Sequence, residues 1–335
     1  MNANIKRFLG DIEVGAKQSH ANMTVYCLLS AEEADAGFIT LDEAFDRRLL
    51  SVTEMTQSGS VPELKVVNTS DQNVLIMDGE ELVGAKQNRV LNVTVLIAAK
   101  SETIVPVSCV EQGRWAYRGR EFGSAKRSMS PSMKRSKTET VHANLERNGS
   151  FRSNQGRVWA DIDTKYQRMS TPMSPTRAMS DLYEAHTETA EEYRKAFHAV
   201  DKQLGMAIFI DGEIVGIEFL GKYEPFRQAH DKLVQSYVMD ALETAGDARK
   251  SKGRPSKTKV SRILESAAKG SAEKRLSVAL GQDIRVESED VVGAGLELEG
   301  EVLQLTLFLK NSGWSDSRRQ TSMSRASARK RKVTG

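Results

Sequence analysis

A chain of 335 residues, 39% of them hydrophobic, can bury one large core or two moderate ones. No run of about 18 apolar residues occurs, which excludes a membrane-spanning helix, and the two cysteines, Cys27 and Cys109, are too few for a disulfide framework or a cysteine zinc site. The net charge of +3 hides segregation: residues 112–157 carry eleven Lys and Arg against three Glu (net +8), residues 310–335 carry eight against Asp316 (net +7), and the remainder is acidic at −12.

The first residues, MNANIKRFLGDIEVGAK, lack the apolar stretch of a secretory signal and are expected to be mature cytoplasmic sequence. Residues 23–29 form an apolar strand, 41–50 have the spacing of a short amphipathic helix, and 49–55 and 64–67 are further strands. Residues 73–83 are two apolar runs around Asp78-Gly79, a hairpin-turn pattern that recurs around Asp211-Gly212 and Glu299-Gly300. Helices are predicted over 158–168, within 176–198, and over 225–242, where Pro225 opens a face of Phe226, Leu233, Val234, Tyr237, Val238 and Leu242. Residues 245–258 have linker composition, and a short helix resumes over 259–268. With no clean parallel βαβ alternation, the fold class is α+β: one domain over residues 1–310, a β-rich sheet framework with an inserted helical middle and a closing C-terminal hairpin.

Two basic, Ser-rich segments stand apart from this frame, an insert at about 123–149 and a tail over 311–335. Their apolar area is too small to offset the entropy of ordering, so both are expected to be disordered and dispensable for folding. They also supply the case for a nucleic-acid partner, bound through phosphates without sequence preference.

Residues 80–115 gather the unusual polar groups. Glu80, Glu81, Lys86, Gln87, Asn88 and Arg89 precede an apolar run, residues 90–98, which reads as one buried strand; Cys109, Glu111, Gln112, Arg114 and Trp115 end the next, residues 104–110. Pairing of the two as a hairpin returns Arg89 and Glu111 to one end of a sheet. This predicts that Glu80 or Glu81, Lys86, Gln87, Arg89, Glu111 and Arg114 line one concavity. Glu80 and Glu111 would then supply acid-base groups, and Lys86 and Arg89 the cations for a phosphate or pyrophosphate. A surface ion-pair cluster is the alternative. Cys109 is a nucleophile if a cation lowers its pKa and a core thiol otherwise. Arg114 and Trp115 either clamp a nucleotide, guanidinium on phosphate and indole on base, or close the core beside a solvent-facing Arg. Glu81, Gln87 and Gln112 complete the ligand-binding set. No metal or cofactor is assigned, because the five His lack ligand spacing and no Gly-rich phosphate loop or nucleophile elbow occurs.

MDGEELVGAKQNR at residues 77–89, IVPVSCVEQGRW at 104–115 and GRVWADIDTKYQRM at 156–169 resemble the ARG and rhodanese-phosphatase-superfamily-associated protein domain. The stretches at 206–243 and 281–310 extend the resemblance in the same order. It implies an α+β domain of bacterial or phage type, associated with ADP-ribosylglycohydrolases and acting in NAD or ADP-ribose metabolism, with no single reaction attached. Two departures stand out: Gln304 lies in the last strand where the family pattern has His, and the basic insert and tail look like additions. The function implied is that of an enzyme or ligand-binding domain for a NAD-derived, ADP-ribose-like small molecule, with the nucleic-acid reading as its competitor.

Overall fold

The computed structural model describes residues 3–56, 61–245 and 253–310. In chain order its elements are α1 (Ala3–Gly10), β1 (Glu13–His20), β2 (Met23–Leu29), β3 (Phe38–Thr40), α2 (Leu41–Asp46), β4 (Leu50–Glu54), β5 (Glu63–Asn68), β6 (Asn73–Ile76), β7 (Glu80–Gly84), β8 (Arg89–Leu91), β9 (Val95–Ile97), β10 (Ser101–Cys109) and β11 (Glu121–Ser128). The helical middle follows as α3 (Pro131–Asn148), α4 (Gln155–Arg168), α5 (Met179–Ala185) and α6 (Thr187–Ala196), and the chain closes with β12 (Gln203–Ile210), β13 (Glu213–Leu220), α7 (Tyr223–Thr244), α8 (Lys257–Lys269), β14 (Ser271–Leu276), β15 (Gln282–Glu287), β16 (Val291–Leu298) and β17 (Glu301–Leu309). The fold is α+β on a sheet framework.

Eight strands form one antiparallel sheet in the order β1-β2-β12-β13-β17-β16-β15-β14. Strand alternation divides its apolar residues between two layers. Met206, Ile208 and Ile210 pack with Phe226, Leu233, Val234, Tyr237 and Val238 of α7, while Ala207, Phe209, Ile217 and Phe219 pack with Ile5 and Leu9 of α1 and Val260, Ile263 and Leu264 of α8. Because both faces are covered, β12 is buried along its whole length, which is why its sequence after Gln203 carries no polar side chain. The 211–212 and 299–300 turns both place an acidic residue and then Gly at positive φ, as a two-residue hairpin requires. Asp78 does not share that geometry: Gly79 has φ +81° but Asp78 is not among the positive-φ residues. There the chain turns a corner from β6, in a three-stranded sheet with β3 and β9, into β7 of a separate closed barrel. The expected 73–83 hairpin is therefore absent.

The barrel has the strand order β10-β5-β4-β11-β7-β8. Val52, Leu64, Val66, Leu82, Leu91, Val105, Val107 and Phe122 share one apolar core that also includes Val95 and Ile97 of β9. The run predicted as a single strand over 90–98 is split between barrel (β8) and small sheet (β9), and the break falls at its polar residues. Asn92 accepts from Ser108 Oγ and donates to Phe151 O, and Thr94 Oγ1 accepts from Asp78 N and donates to Gln304 Oε1.

The basic insert is not an appendage. Residues 121–128 are a barrel strand, and 131–148 form an 18-residue helix with Pro131 in its first turn and Gly149, at φ 69°, ending it. Met133, Val141 and Leu145 of α3 are buried, and so are its Lys134 and Lys137. Lys134 donates to Glu218 at 2.7 Å, and Lys137 bonds Asp78 and, at 2.9 Å, Asn92 O. Two of the segment's six cations thus answer carboxylates inside the molecule rather than facing outward. The helix expected within 176–198 is two, broken at His186, and of the predicted linker Ala245 and residues 253–256 lie between α7 and α8 in the described part. The tail over 311–335 lies outside the described residues.

Candidate functional site at the barrel mouth

Alternation along the barrel strands carries the apolar interior toward one end and then changes its chemistry. Leu50 and Val52 of β4 lead to Glu54, Leu91 of β8 is preceded two residues earlier by Arg89, and Val105 and Val107 of β10 lead to Cys109. Cys109 is paired across the ladder with Arg89, so these groups end the barrel interior together. Arg89 is fully buried and Glu54 is nearly so, with Arg89 Nη2 3.6 Å from Glu54 Oε1. That separation makes an ion pair without a hydrogen bond. Both oxygens of Glu54 and the Nε and Nη2 of Arg89 have no hydrogen-bond partner among the described residues. Cys109 Sγ lies 3.2 Å from Gln87 Oε1. Burial pushes its thiol above the ordinary range, against the backbone hydrogen bond at Glu111 and the charge of Arg89.

Glu111 and Arg114 hold the mouth's loop in place. Arg114 Nε donates to Glu111 Oε1 at 2.8 Å and Nη2 to Oε2 at 2.6 Å, a two-point clasp. Its remaining donors reach Ala85 O, Ala116 O and Gly84 O, tying residues 112–120 to the turn between β7 and β8. Gly84, at φ +132°, permits this turn, since a Cβ there would lie 2.6 Å from Glu121 O. Burial would raise the Glu111 pKa, but the hydrogen bonds from Arg114 and the Asn88 N–H outweigh it and keep the carboxylate below its ordinary value. Glu111 is therefore an ionised strut, not a group poised to exchange protons.

Above the buried pair the mouth is aromatic and cationic. Lys86 Nζ lies 5.1 Å from the ring centroid of Trp115 and 5.0 Å from that of Tyr117, and the Arg89 guanidinium carbon is 5.9 Å from the Trp115 ring. Both rings are about half exposed, as expected of contact surface and not of core. Arg118, largely exposed, adds a second cation at the rim, 3.8 Å from Glu111.

The structure brings Lys86, Gln87, Arg89, Cys109, Glu111, Arg114 and Trp115 together, with exposed Gln112 on the same loop. Glu80 and Glu81 do not join them. Being adjacent on a strand, they face opposite ways: Glu80 bonds Lys232, which also bonds Asp42, while Glu81 is buried outside the barrel near α5, accepting a 3.4 Å bond from Asn88. The single concavity drawn from the sequence thus loses both acidic residues of β7, and Arg89 is too deep to be the surface cation expected of it. Glu54, Tyr117 and Arg118 were missed. Glu54 had a signal, being polar at an inward position of an alternating strand; Tyr117 and Arg118 sit in a loop with no period to read. An open cleft of about 460 Å³ at the edge of the large sheet, lined by Asn4, Lys274, Leu276, Gln282, Glu297 and Glu299, contains none of the predicted site residues.

Residues 11–308 match the ARG and Rhodanese-Phosphatase-superfamily-associated Protein domain. The chain belongs to this family. Its domain takes in the eight-stranded sheet, the barrel and α3 alike, so the basic insert lies inside the matched range and only the tail lies beyond it. No curated protein and no solved structure matches the chain. Gln304, where the family pattern was expected to carry His, lies away from the mouth, accepting from Thr94 and donating to Thr306 at 2.7 Å beside Glu218.

Proposed function

We propose that the barrel mouth binds a NAD-derived, ADP-ribose-like small molecule. The observation that carries this reading is the Lys86 ammonium set against the half-exposed rings of Trp115 and Tyr117, with Arg118 at the rim. The rings offer a flat surface for a base, and the two cations offer charge to a phosphate or pyrophosphate. The NAD or ADP-ribose metabolism that the sequence resemblance implies points to the same class of ligand. Two buried free thiols fit a reducing, cytoplasmic setting. For any chemistry beyond binding, Cys109 and Glu54 are the groups turned toward the barrel axis, whereas Glu80 and Glu111 are each held by a cation. For the nucleic-acid reading the insert offers less than its charge count, since Lys134 and Lys137 are paired with internal carboxylates, which leaves the tail together with the exposed Lys126 and Arg147.

A thermal-shift series against NAD, ADP-ribose and related nucleotides tests the reading, because a ligand that binds only the folded state raises the melting temperature. ADP-ribose is expected to raise it in the wild type, with the shift reduced in Trp115→Ala and Lys86→Ala. No shift with any of these nucleotides overturns the proposal.

A further inference from the structure

Glu54 and Arg89 state a chemical requirement that their own contact does not meet. Each is buried inside the barrel, they are 3.6 Å apart at their nearest, and both carboxylate oxygens and two guanidinium nitrogens are unpartnered among the described residues. Buried polar groups are rarely left so, because each forfeits its hydration without replacement. A phosphate drawn to Arg89 would press against the Glu54 carboxylate, and an ammonium drawn to Glu54 would press against Arg89. The group that satisfies both is neutral, donates to a carboxylate and accepts from a guanidinium: a hydroxyl. A vicinal pair of hydroxyls matches the two oxygens of Glu54 and the free Nε and Nη2 of Arg89 together.

We infer that the Glu54–Arg89 pair is a subsite for the vicinal hydroxyls of a sugar, so that the ligand of the mouth is a ribosyl phosphate, its diol entering the barrel end and its phosphate staying outside with Lys86 and Arg118. This rests on the functional reading above and specifies which part of the ligand goes where. Trp115 supports the placement: its half-exposed ring lies 5.9 Å from the Arg89 guanidinium carbon, where an indole face can cover the C–H side of a sugar. The ring lies 5.1 Å from Lys86 Nζ and 5.9 Å from the Arg89 guanidinium carbon, so a sugar bound at the pair would contact it and alter indole fluorescence.

The test is calorimetric titration of the full chain with ribose 5-phosphate, 2-deoxyribose 5-phosphate and ADP-ribose, with tryptophan fluorescence in parallel, for wild type and Glu54→Gln. The wild type is expected to favour ribose 5-phosphate over the deoxy sugar by at least about 10-fold, since a site built for a hydroxyl rejects its absence. Glu54→Gln, which keeps shape but loses acceptor capacity, should narrow the ratio to roughly 3-fold or less, about one hydrogen bond's worth of discrimination removed. Equal affinity for the two sugars, or a ratio unchanged in Glu54→Gln, overturns the subsite even if ADP-ribose binds. Discrimination between the sugars without ADP-ribose binding supports the subsite and overturns the NAD-derived assignment. If none of the three binds, both fall.

Discussion

Lys134, Lys137, Lys165 and Lys232 are buried, and each bonds at least one carboxylate on another element: Glu218, Asp78, Asp240 with Glu243, and Asp42 with Glu80. The side chains of Glu54 and Arg89 are buried as deeply and leave carboxylate and guanidinium atoms without a hydrogen-bond partner among the described residues. The lysines pin helices to the strands and helices around them: α3 to β13 and the β6–β7 corner, α4 to α7, and α7 to α2 and the barrel. Burial pulls the Lys165 pKa down, but Asp240 and Glu243 more than restore it, so the ammonium stays charged. In one region desolvated charges are hydrogen-bonded to each other and hold the fold; in the other Glu54 and Arg89 form an ion pair without a hydrogen bond, and of the guanidinium only Nη1 is satisfied, by the Gln87 carbonyl and side chain and Asn88 O. That contrast, more than the count of charged residues, separates scaffold from candidate site.

The comparison breaks first at Lys137. Lys137→Met leaves Asp78 buried and unpaired and is expected to cost about 3–5 kcal/mol. Urea unfolding checks this, and Asp78→Asn added to it should recover part of the loss. A cost under about 1 kcal/mol would show that the lysine pairs do not hold the elements together.

Glu81 gives the next largest effect, and it depends on pH. Burial raises its pKa from 4.5 to about 8, with Arg127 and the bond from Asn88 opposing. The folded state therefore keeps a proton that the unfolded state releases near 4.5. The stability this contributes is full below about pH 4.5 and declines as pH rises to about 8. Glu81→Gln should match the wild type at pH 5 and exceed it by roughly 2–4 kcal/mol at pH 9. Melting curves across that range decide it, and parallel pH profiles for the two proteins would contradict a buried, protonated Glu81.

At the mouth, Lys86→Ala should remove roughly 1.5–3 kcal/mol of binding to a phosphorylated ligand, the range for a charge-assisted hydrogen bond. Unliganded stability should move by less than about 1 kcal/mol, the scale of cation–π contacts to two half-exposed rings. A stability loss equal to that of Lys137→Met would place Lys86 with the scaffold. The sharpest contrast is the smallest in size: replacing Glu54 and Arg89 together with Met should be neutral or stabilising by about 1–3 kcal/mol while abolishing ligand response. Loss of the fold in that double variant would mean the pair is structural after all.

Where period and turn chemistry agree, the sequence was read correctly. Residues 23–29, the two hairpins closed by Asp211-Gly212 and Glu299-Gly300, and the helix opened near Pro225 all stand in the structure. Residues 90–98 misled because a continuous apolar run does not say whether its halves share a sheet; Asn92 and Thr94 marked the break. The 123–149 segment misled for a related reason. Lysine counts as solvated until a partner is known, and the partners of Lys134 and Lys137 lie 84 and 59 residues away. The site was half legible. Residues at both ends of the 89–109 ladder were gathered as predicted, but Glu80 and Glu81 were assigned without the alternation that sends them to different surroundings.

The sequence by itself determined the α+β class, most strand and helix positions and the convergence of Arg89, Cys109 and Glu111, because these follow from local periodicity and antiparallel pairing. Only the tertiary structure decided which charges are matched. Whether a Lys or Glu is paired depends on desolvation and on a partner brought in from a distant element, and closure of the barrel placed Glu54 against Arg89 while α3 and α7 carried their lysines to the carboxylates that hold the fold.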